Sequence, residues 1–184
     1  MKVKNTPLLI GLLLTLTSCP KNESAFTHIT IEKGKVGPIT IGMSMKEASD
    51  LLSGLEVEEI DAFSFGFDGG GSALLYSYKN KPLVALIPFN ETDRVHTIIV
   101  LSDKAKTEKG IGPGSEATSL LKAYTKSALH YNELNDWQET YDEVNQFAFV
   151  FIPHYVTPDG SSNESAESSA PDIKDLKVDF IIVQ

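Results

Sequence analysis

The residue with the clearest capacity for chemistry is Cys19, the only cysteine among the 184 residues. Lys2 and Lys4 precede an apolar run of about ten residues from Pro7 to Leu16, the pattern of a targeting segment. A thiol without a second cysteine forms no disulfide within the chain and no cysteine zinc cluster. The pattern therefore predicts a cleaved N-terminal segment and a thiol that is either modified or left free.

Leu16-Thr17-Ser18, which lead into Cys19, make this segment resemble a bacterial lipoprotein signal. In that family the cysteine sulfur is joined to diacylglycerol, the chain is cut just before it, and the new amino group is acylated. The resemblance implies a signal peptide over residues 1–18, lipidation at Cys19 and a lipidated tether over 19–27. Because Pro20 is not the Asp that holds many such proteins in the inner membrane, the resemblance also implies the outer membrane. The domain is expected to face the periplasm, with the cell surface as the open alternative.

Other interpretations of the same segment are weaker. A transmembrane helix needs about 20 apolar residues, and this run is roughly half as long. An ordinary secretory signal would be cut near the same place and would leave Cys19 as a free thiol. A buried N-terminal helix is disfavoured by the flanking lysines and by the polar residues that follow.

Length and charge narrow the classes of function. Removing residues 1–18 from 184 leaves 166, the size of one domain with a real core. Loss of Lys2 and Lys4 lowers the Lys and Arg count from 16 to 14 against 25 Asp and Glu, a formal charge of −11. Such a surface repels phosphate backbones, so nucleic acid is excluded as a partner and membrane attachment is assigned to the lipid.

Residues 28–184 are predicted to form a single α+β domain, an antiparallel sheet with two helices. Ser44 and Glu47 form a capping box for the first helix, and Gly54 supplies its C-terminal stop. A glycine turn and Ser115 open the second helix. The two segments that open the helices share a role but few identical residues. A weak internal duplication therefore stays an open alternative.

The rest of the domain is predicted as strands and loops. Residues 57–102 have the alternation and short turns of a β meander, and 60–67 within it alternate loosely. Residues 104–109 have the composition of a solvated linker, and 157–171 that of a disordered loop. Apolar residues 176–183 predict a buried closing strand.

The candidate metal ligands and anion-binding residues are scattered. If their strands pair, His130 and His154 would meet Glu133 or Asp159 and form a zinc site. A second group, made of Glu139, Asp142 and Glu143, could bind calcium weakly. For this acidic group a solvated face is the favoured interpretation. Asp68-Gly69-Gly70-Gly71-Ser72 is interpreted as a turn rather than an anion nest. The four histidines are interpreted as ordinary strand or loop residues: His28, His96, His130 and His154.

Aromatic residues supply the remaining candidate surface. Five of them are predicted to line one sheet face, as core or as a partner groove: Phe63, Phe65, Phe67, Tyr76 and Tyr78. Trp137 is expected to be partly buried packing, with an interface anchor as the alternative.

Five segments of the mature part carry a resemblance to a known family: Gly34 to Ile39, 81–87, 100–102, 111–124 and 176–182. In these segments the chain resembles the RpoE-regulated lipoprotein family of unknown function. That likeness implies a mixed α+β domain and an envelope role, and it carries over no functional residue. The long Ser-rich loop and the lack of a Trp in the last strand depart from it. A looser likeness, through Ile41 to Ala48, is to the small assembly lipoprotein of the outer-membrane β-barrel machinery.

No phosphate loop, Gly-x-Ser-x-Gly elbow or His-Glu-x-x-His helix occurs in the sequence. We therefore expect a membrane-anchored envelope lipoprotein that is not an enzyme and has no catalytic residue, metal or cofactor. It is expected to bind an envelope protein or peptidoglycan and to act in envelope maintenance or stress response. The alternative is a small-molecule binder or unfamiliar enzyme that uses the aromatic face with His96 or His154.

Overall fold

The computed structural model describes residues 29–67, 71–89, 92–152 and 172–184. Its helices are α1 (Met45–Leu51) and α2 (Ala117–Ala123), and a 3₁₀ turn covers Ala62–Phe65. The strands are β1 (Ile29–Glu32), β2 (Lys35–Val36), β3 (Ile39–Thr40), β4 (Glu56–Asp61), β5 (Ser72–Tyr78), β6 (Lys81–Pro88), β7 (Val95–Val100), β8 (Ala105–Thr107), β9 (His130–Asn132), β10 (Trp137–Asp142), β11 (Phe147–Phe151) and β12 (Phe180–Val183).

An eight-stranded antiparallel sheet in the order β4-β5-β6-β7-β12-β11-β10-β9 dominates the fold. It consists of two four-stranded meanders, each preceded in the chain by one helix, and they join where β7 pairs with β12. The α+β class is thus confirmed, and the repeated order of one helix and four strands has the form expected of an internal duplication. The predicted closing strand forms, although it begins only at Phe180.

The second sheet is small and its order is β3-β2-β1-β8. β1 pairs antiparallel with β2 and parallel with β8, where Ile29 faces Ala105 and Ile31 faces Thr107. The prediction of a solvated linker over 104–109 was therefore wrong. Ala105 and Thr107 are buried because β8 takes a place beside a strand that is distant in sequence, which no local pattern in 104–109 signals.

Local chemistry explains where the helices begin. The Ser44 side chain accepts from the Glu47 amide at 3.2 Å and the Glu47 carboxyl accepts from the Ser44 amide at 3.2 Å, so the predicted capping box is confirmed. The helix ends at Leu51, so Gly54 lies beyond its C-cap rather than at it. Ser115 does not cap α2, because Glu116 occupies the N-cap and the Ser115 hydroxyl instead accepts from the Gly112 amide.

The two faces of the large sheet carry separate hydrophobic clusters. The first face packs against both helices and the small sheet, with Leu86, Ile98 and Phe149 fully buried. The second face carries a smaller cluster that includes Phe65, Trp137 and the central strand residues.

The 3₁₀ turn after β4 covers part of this second cluster. Asp61 accepts from the Phe63 amide at 2.9 Å and starts the turn, and Gly66 ends it with φ 81°. Phe65 then packs edge-on against Phe180, with ring centroids 5.6 Å apart. Residues 60–67 are therefore not one continuous strand, because the Asp61 cap and the left-handed Gly66 turn the chain back over the sheet.

We expect Gly66→Ala to be more destabilising than Gly110→Ala. Both glycines have positive φ, which costs an alanine about 1–2 kcal/mol. A Cβ at Gly66 would also lie 2.6 Å from the Trp137 ring, whereas a Cβ at Gly110 meets nothing within 4 Å. Overpacking should add roughly 1–3 kcal/mol at Gly66 alone. Urea unfolding of both variants measures the difference, and equal losses would show that the Trp137 contact carries no weight.

Candidate functional site

A buried carboxyl group on β10 is the most organised polar feature of the described residues. Glu139 is 7% exposed and accepts three hydrogen bonds from side chains. Trp137 Nε1 donates at 2.8 Å, the Tyr141 hydroxyl at 2.6 Å and Asn132 Nδ2 at 3.1 Å. Alternation along β10 places Trp137, Glu139 and Tyr141 on the same face, and the pairing of Asn132 with Trp137 brings β9 alongside.

Tyr141 is the exposed end of this network, with 48% of its surface accessible. Partial burial, together with the hydrogen bond to the Glu139 carboxylate and its negative charge, raises the pKa of Tyr141 to about 12. The hydroxyl is therefore protonated at neutral pH and serves as a donor. Tyr141 also lines a shallow groove of about 340 Å³ with Ala148 and Ile182.

These contacts favour a structural role for Glu139. A carboxylate has about four lone-pair sites, and three of those of Glu139 already accept hydrogen bonds from side chains of the same chain. Its donors come from β9 and β10, and Trp137 in turn packs edge-on against Phe180 of β12 at 5.5 Å. The network thus fixes one edge of the sheet to its centre.

The predicted metal ligands do not come together in the described residues. His96 is exposed on β7 beside Phe89, with ring centroids 5.2 Å apart, and His130 is exposed on β9. His28, His154 and Asp159 lie outside the residues that the structure describes. Within the described ranges no cluster of three His, Cys, Asp or Glu side chains could hold a metal ion.

The prediction of a solvated acidic face was wrong for Glu139. Its side chain is buried beside Trp137, whereas Asp142 accepts from the Val144 amide and from Asn145 Nδ2 in the following turn. Glu143 lies in that turn and is exposed. The burial could have been inferred from the alternation of Trp137, Glu139 and Tyr141, which puts the acid between two aromatic residues.

The glycine-rich segment after β4 falls only partly within the structure. Residues 68–70 lie outside the described ranges, whereas Gly71 has φ 110° and Ser72 begins β5. The choice between a turn and an anion nest therefore stays a prediction for 68–70.

The predicted aromatic face does not exist as one surface. Phe63 and Phe65 lie in the 3₁₀ turn, where Phe63 is exposed and Phe65 is buried in the second cluster. Tyr76 is buried in the first cluster and its hydroxyl contacts Ser49 Oγ at 2.7 Å. Phe67 packs on the second cluster and Tyr78 is half-buried near the end of β5. Trp137 is buried packing, as expected.

Sequence reasoning missed a second feature, which lies at the β4 edge of the sheet. A groove of about 540 Å³ runs from Glu59 on β4 to Asp93 before β7. Met45, Leu74 and Phe89 are among its apolar lining residues. The many carboxylates of β4 were the signal in the sequence, but their position beside an apolar groove depends on the tertiary fold.

We expect Glu139→Gln to lower the free energy of unfolding by about 2 kcal/mol, because the glutamine NH₂ would face donors and leave one buried group unpaired. Glu143→Gln, in the neighbouring exposed turn, should change stability by less than about 0.5 kcal/mol. Urea unfolding followed by Trp137 fluorescence measures both. A neutral Glu139→Gln would contradict a structural role for the carboxylate.

The raised pKa of Tyr141 predicts a loss of stability at high pH. An unfolded tyrosine ionises near pH 10, and the folded one at about 12, so the unfolded state releases its proton first. The contribution of Tyr141 is therefore complete below about pH 10 and is lost as the pH rises through about 12.

Tyr141→Phe tests this linkage. At neutral pH it should cost about 1 kcal/mol, a small value because the side chain is half exposed. The stability difference between the native protein and the variant should then shrink between about pH 10 and 12. Urea unfolding at several pH values measures that difference, and a constant difference across the range would disprove the linkage.

Comparison with known proteins identifies a solved structure with a similar fold. No family model and no curated protein matches the chain. Among solved structures, the crystal structure of the uncharacterized protein yfeY from Escherichia coli is similar, with a TM-score of 0.52. The two share 16% sequence identity, and the match covers 86% of this chain and 99% of that chain. At this identity the similarity establishes a shared fold.

Proposed function

We propose that this protein is a bacterial envelope lipoprotein, anchored through acylated Cys19, whose folded part binds another envelope component and catalyses no reaction. The observation that carries the proposal is Leu16-Thr17-Ser18-Cys19 after a positive and then apolar segment. The fold shared with yfeY is compatible with the RpoE-regulated lipoprotein family that the sequence resembles. That resemblance supports a role in envelope maintenance or stress response.

The position of β1 supports a short tether. β1 begins at Ile29, so the acylated residue and the first strand are ten residues apart. A fully extended chain of that length spans at most about 35 Å. The proposed anchor would therefore keep the sheets close to the membrane, and binding partners would be other proteins or the cell wall within that distance. Within the described ranges, no helix is both long and apolar enough to span a bilayer.

The surface chemistry supports binding of a protein. Glu139, the one buried acidic side chain among the described residues, accepts three hydrogen bonds from side chains of its own chain. Several large apolar side chains are exposed elsewhere, among them Phe63 and Phe89. A strongly acidic surface favours a basic partner over anionic headgroups. Because Pro20 follows the cysteine, we assign the anchor to the outer membrane, and we propose that the domain faces the periplasm.

Intact mass and membrane fractionation test the anchor. The native protein should carry the mass of its acyl groups and sediment with outer membranes. Cys19→Ala should lose that mass and disappear from the outer-membrane fraction, while Ser24→Ala, in the same tether, should behave like the native protein. An unmodified, soluble native protein would refute the anchor and would make Cys19 a free thiol.

A further inference from the structure

β4 is one edge of the large sheet and is unusually exposed. Only β5 pairs with it among the described residues, and five of its six residues are exposed. An edge strand presents backbone N–H and C=O groups that another extended chain can pair with. The opposite edge, β9, has three residues, so β4 offers the longer pairing site.

The charge of β4 has one sign. Four of its six residues are acidic: Glu56, Glu58, Glu59 and Asp61. Asp61 caps the 3₁₀ turn and Glu56 accepts weakly from the Asn80 amide at 3.4 Å. The side chains of Glu58 and Glu59 make no hydrogen bond or ion pair within the described ranges, and their strand partners Leu75 and Leu74 show that these side chains project from opposite faces.

An apolar groove adjoins this edge on the first face. It measures about 540 Å³ and Glu59 stands at its β4 end. Leu74 of β5, Met45 of α1 and Phe89 after β6 supply apolar surface, and Phe89 is 54% exposed. Asp93 adds a carboxylate at the far side. An entering chain would thus meet an apolar surface between two acidic residues.

We propose that the β4 edge binds an extended, basic segment of a partner protein as an added strand. Its backbone pairs along β4, its lysine or arginine side chains meet Glu58 and Glu59 on the two faces, and an apolar side chain enters the groove beside Leu74 and Phe89. This proposal deepens the proposed function by naming the partner's chemistry, and rests on it for the partner being an envelope protein.

The single sign of charge selects this occupant over a second copy of the chain. Two β4 strands side by side would place their carboxylates together, and like charges across a strand pair are destabilising. Charged edges often serve only to prevent such aggregation. Here the same charges repel a second copy and attract a basic strand, and the adjoining apolar groove gives that strand a further contact.

The test uses the full acylated protein in detergent and a synthetic peptide of about ten residues, the length of a long strand, that repeats Lys-Lys-Val-Val, so that each face of the added strand carries both lysine and valine. Fluorescence anisotropy of the labelled peptide should show binding, and NMR amide shifts should fall on β4, Leu74 and Phe89. A peptide that repeats Glu-Glu-Val-Val should not bind.

Charge reversal provides the matched control. Glu58→Lys with Glu59→Lys should weaken binding of the lysine–valine peptide at least about tenfold. Glu133→Lys with Glu143→Lys changes the net charge equally at exposed turns near the other edge, and should weaken it less than about threefold. If both double variants lose affinity equally, the peptide responds only to the overall negative charge of the protein, and the proposal is overturned.

Phe89→Ala tests the groove. It should weaken the lysine–valine peptide several-fold and leave a lysine–serine peptide unchanged, because only the former has an apolar side chain to bury. Binding that persists without shifts on β4, or self-association of the protein through β4 in sedimentation, would overturn the proposal. These assays stay readable whether or not Cys19 is acylated, so their failure is distinct from failure of the anchor.

Discussion

The pairing of β7 with β12 is the interaction on which the rest of the structure depends. Ile98, Ile99 and Val100 lie opposite Val183, Ile182 and Ile181, and this short antiparallel contact turns two meanders into one sheet. Five of these six side chains are at most 1% exposed. The first hydrophobic cluster contains residues from both meanders, so neither half can bury its apolar face without the other.

How far the sequence predicts this structure depends on the range of the interactions. The Ser44–Glu47 capping box is local, and it forms as expected. β8 was missed because its partner β1 is far away in sequence. Apolar and polar residues alternate loosely over 60–67, as in a strand. The strand nevertheless ends at Asp61, because Asp61 caps a 3₁₀ turn that Gly66 closes in the left-handed conformation.

For the candidate sites, too, the success of the prediction depends on the range of the interactions. His96 and His130 lie on strands β7 and β9, where the sequence predicted ordinary strand or loop residues. Glu139 was predicted on a solvated surface, although its alternation with Trp137 and Tyr141 along β10 is local; only the hydrogen bond from Asn132 needs the pairing with β9. The predicted lipidation signal is a linear motif, so that prediction does not depend on the fold.

The β7–β12 contact also sets an order of events during synthesis. β7 ends at Val100 and β12 begins at Phe180, so roughly eighty residues must leave the ribosome before β7 finds its neighbour. Until then β7, whose residues are apolar except for His96 and Thr97, is the unpaired edge strand of the first meander. An unpaired edge of this composition is prone to pair with other chains during that interval.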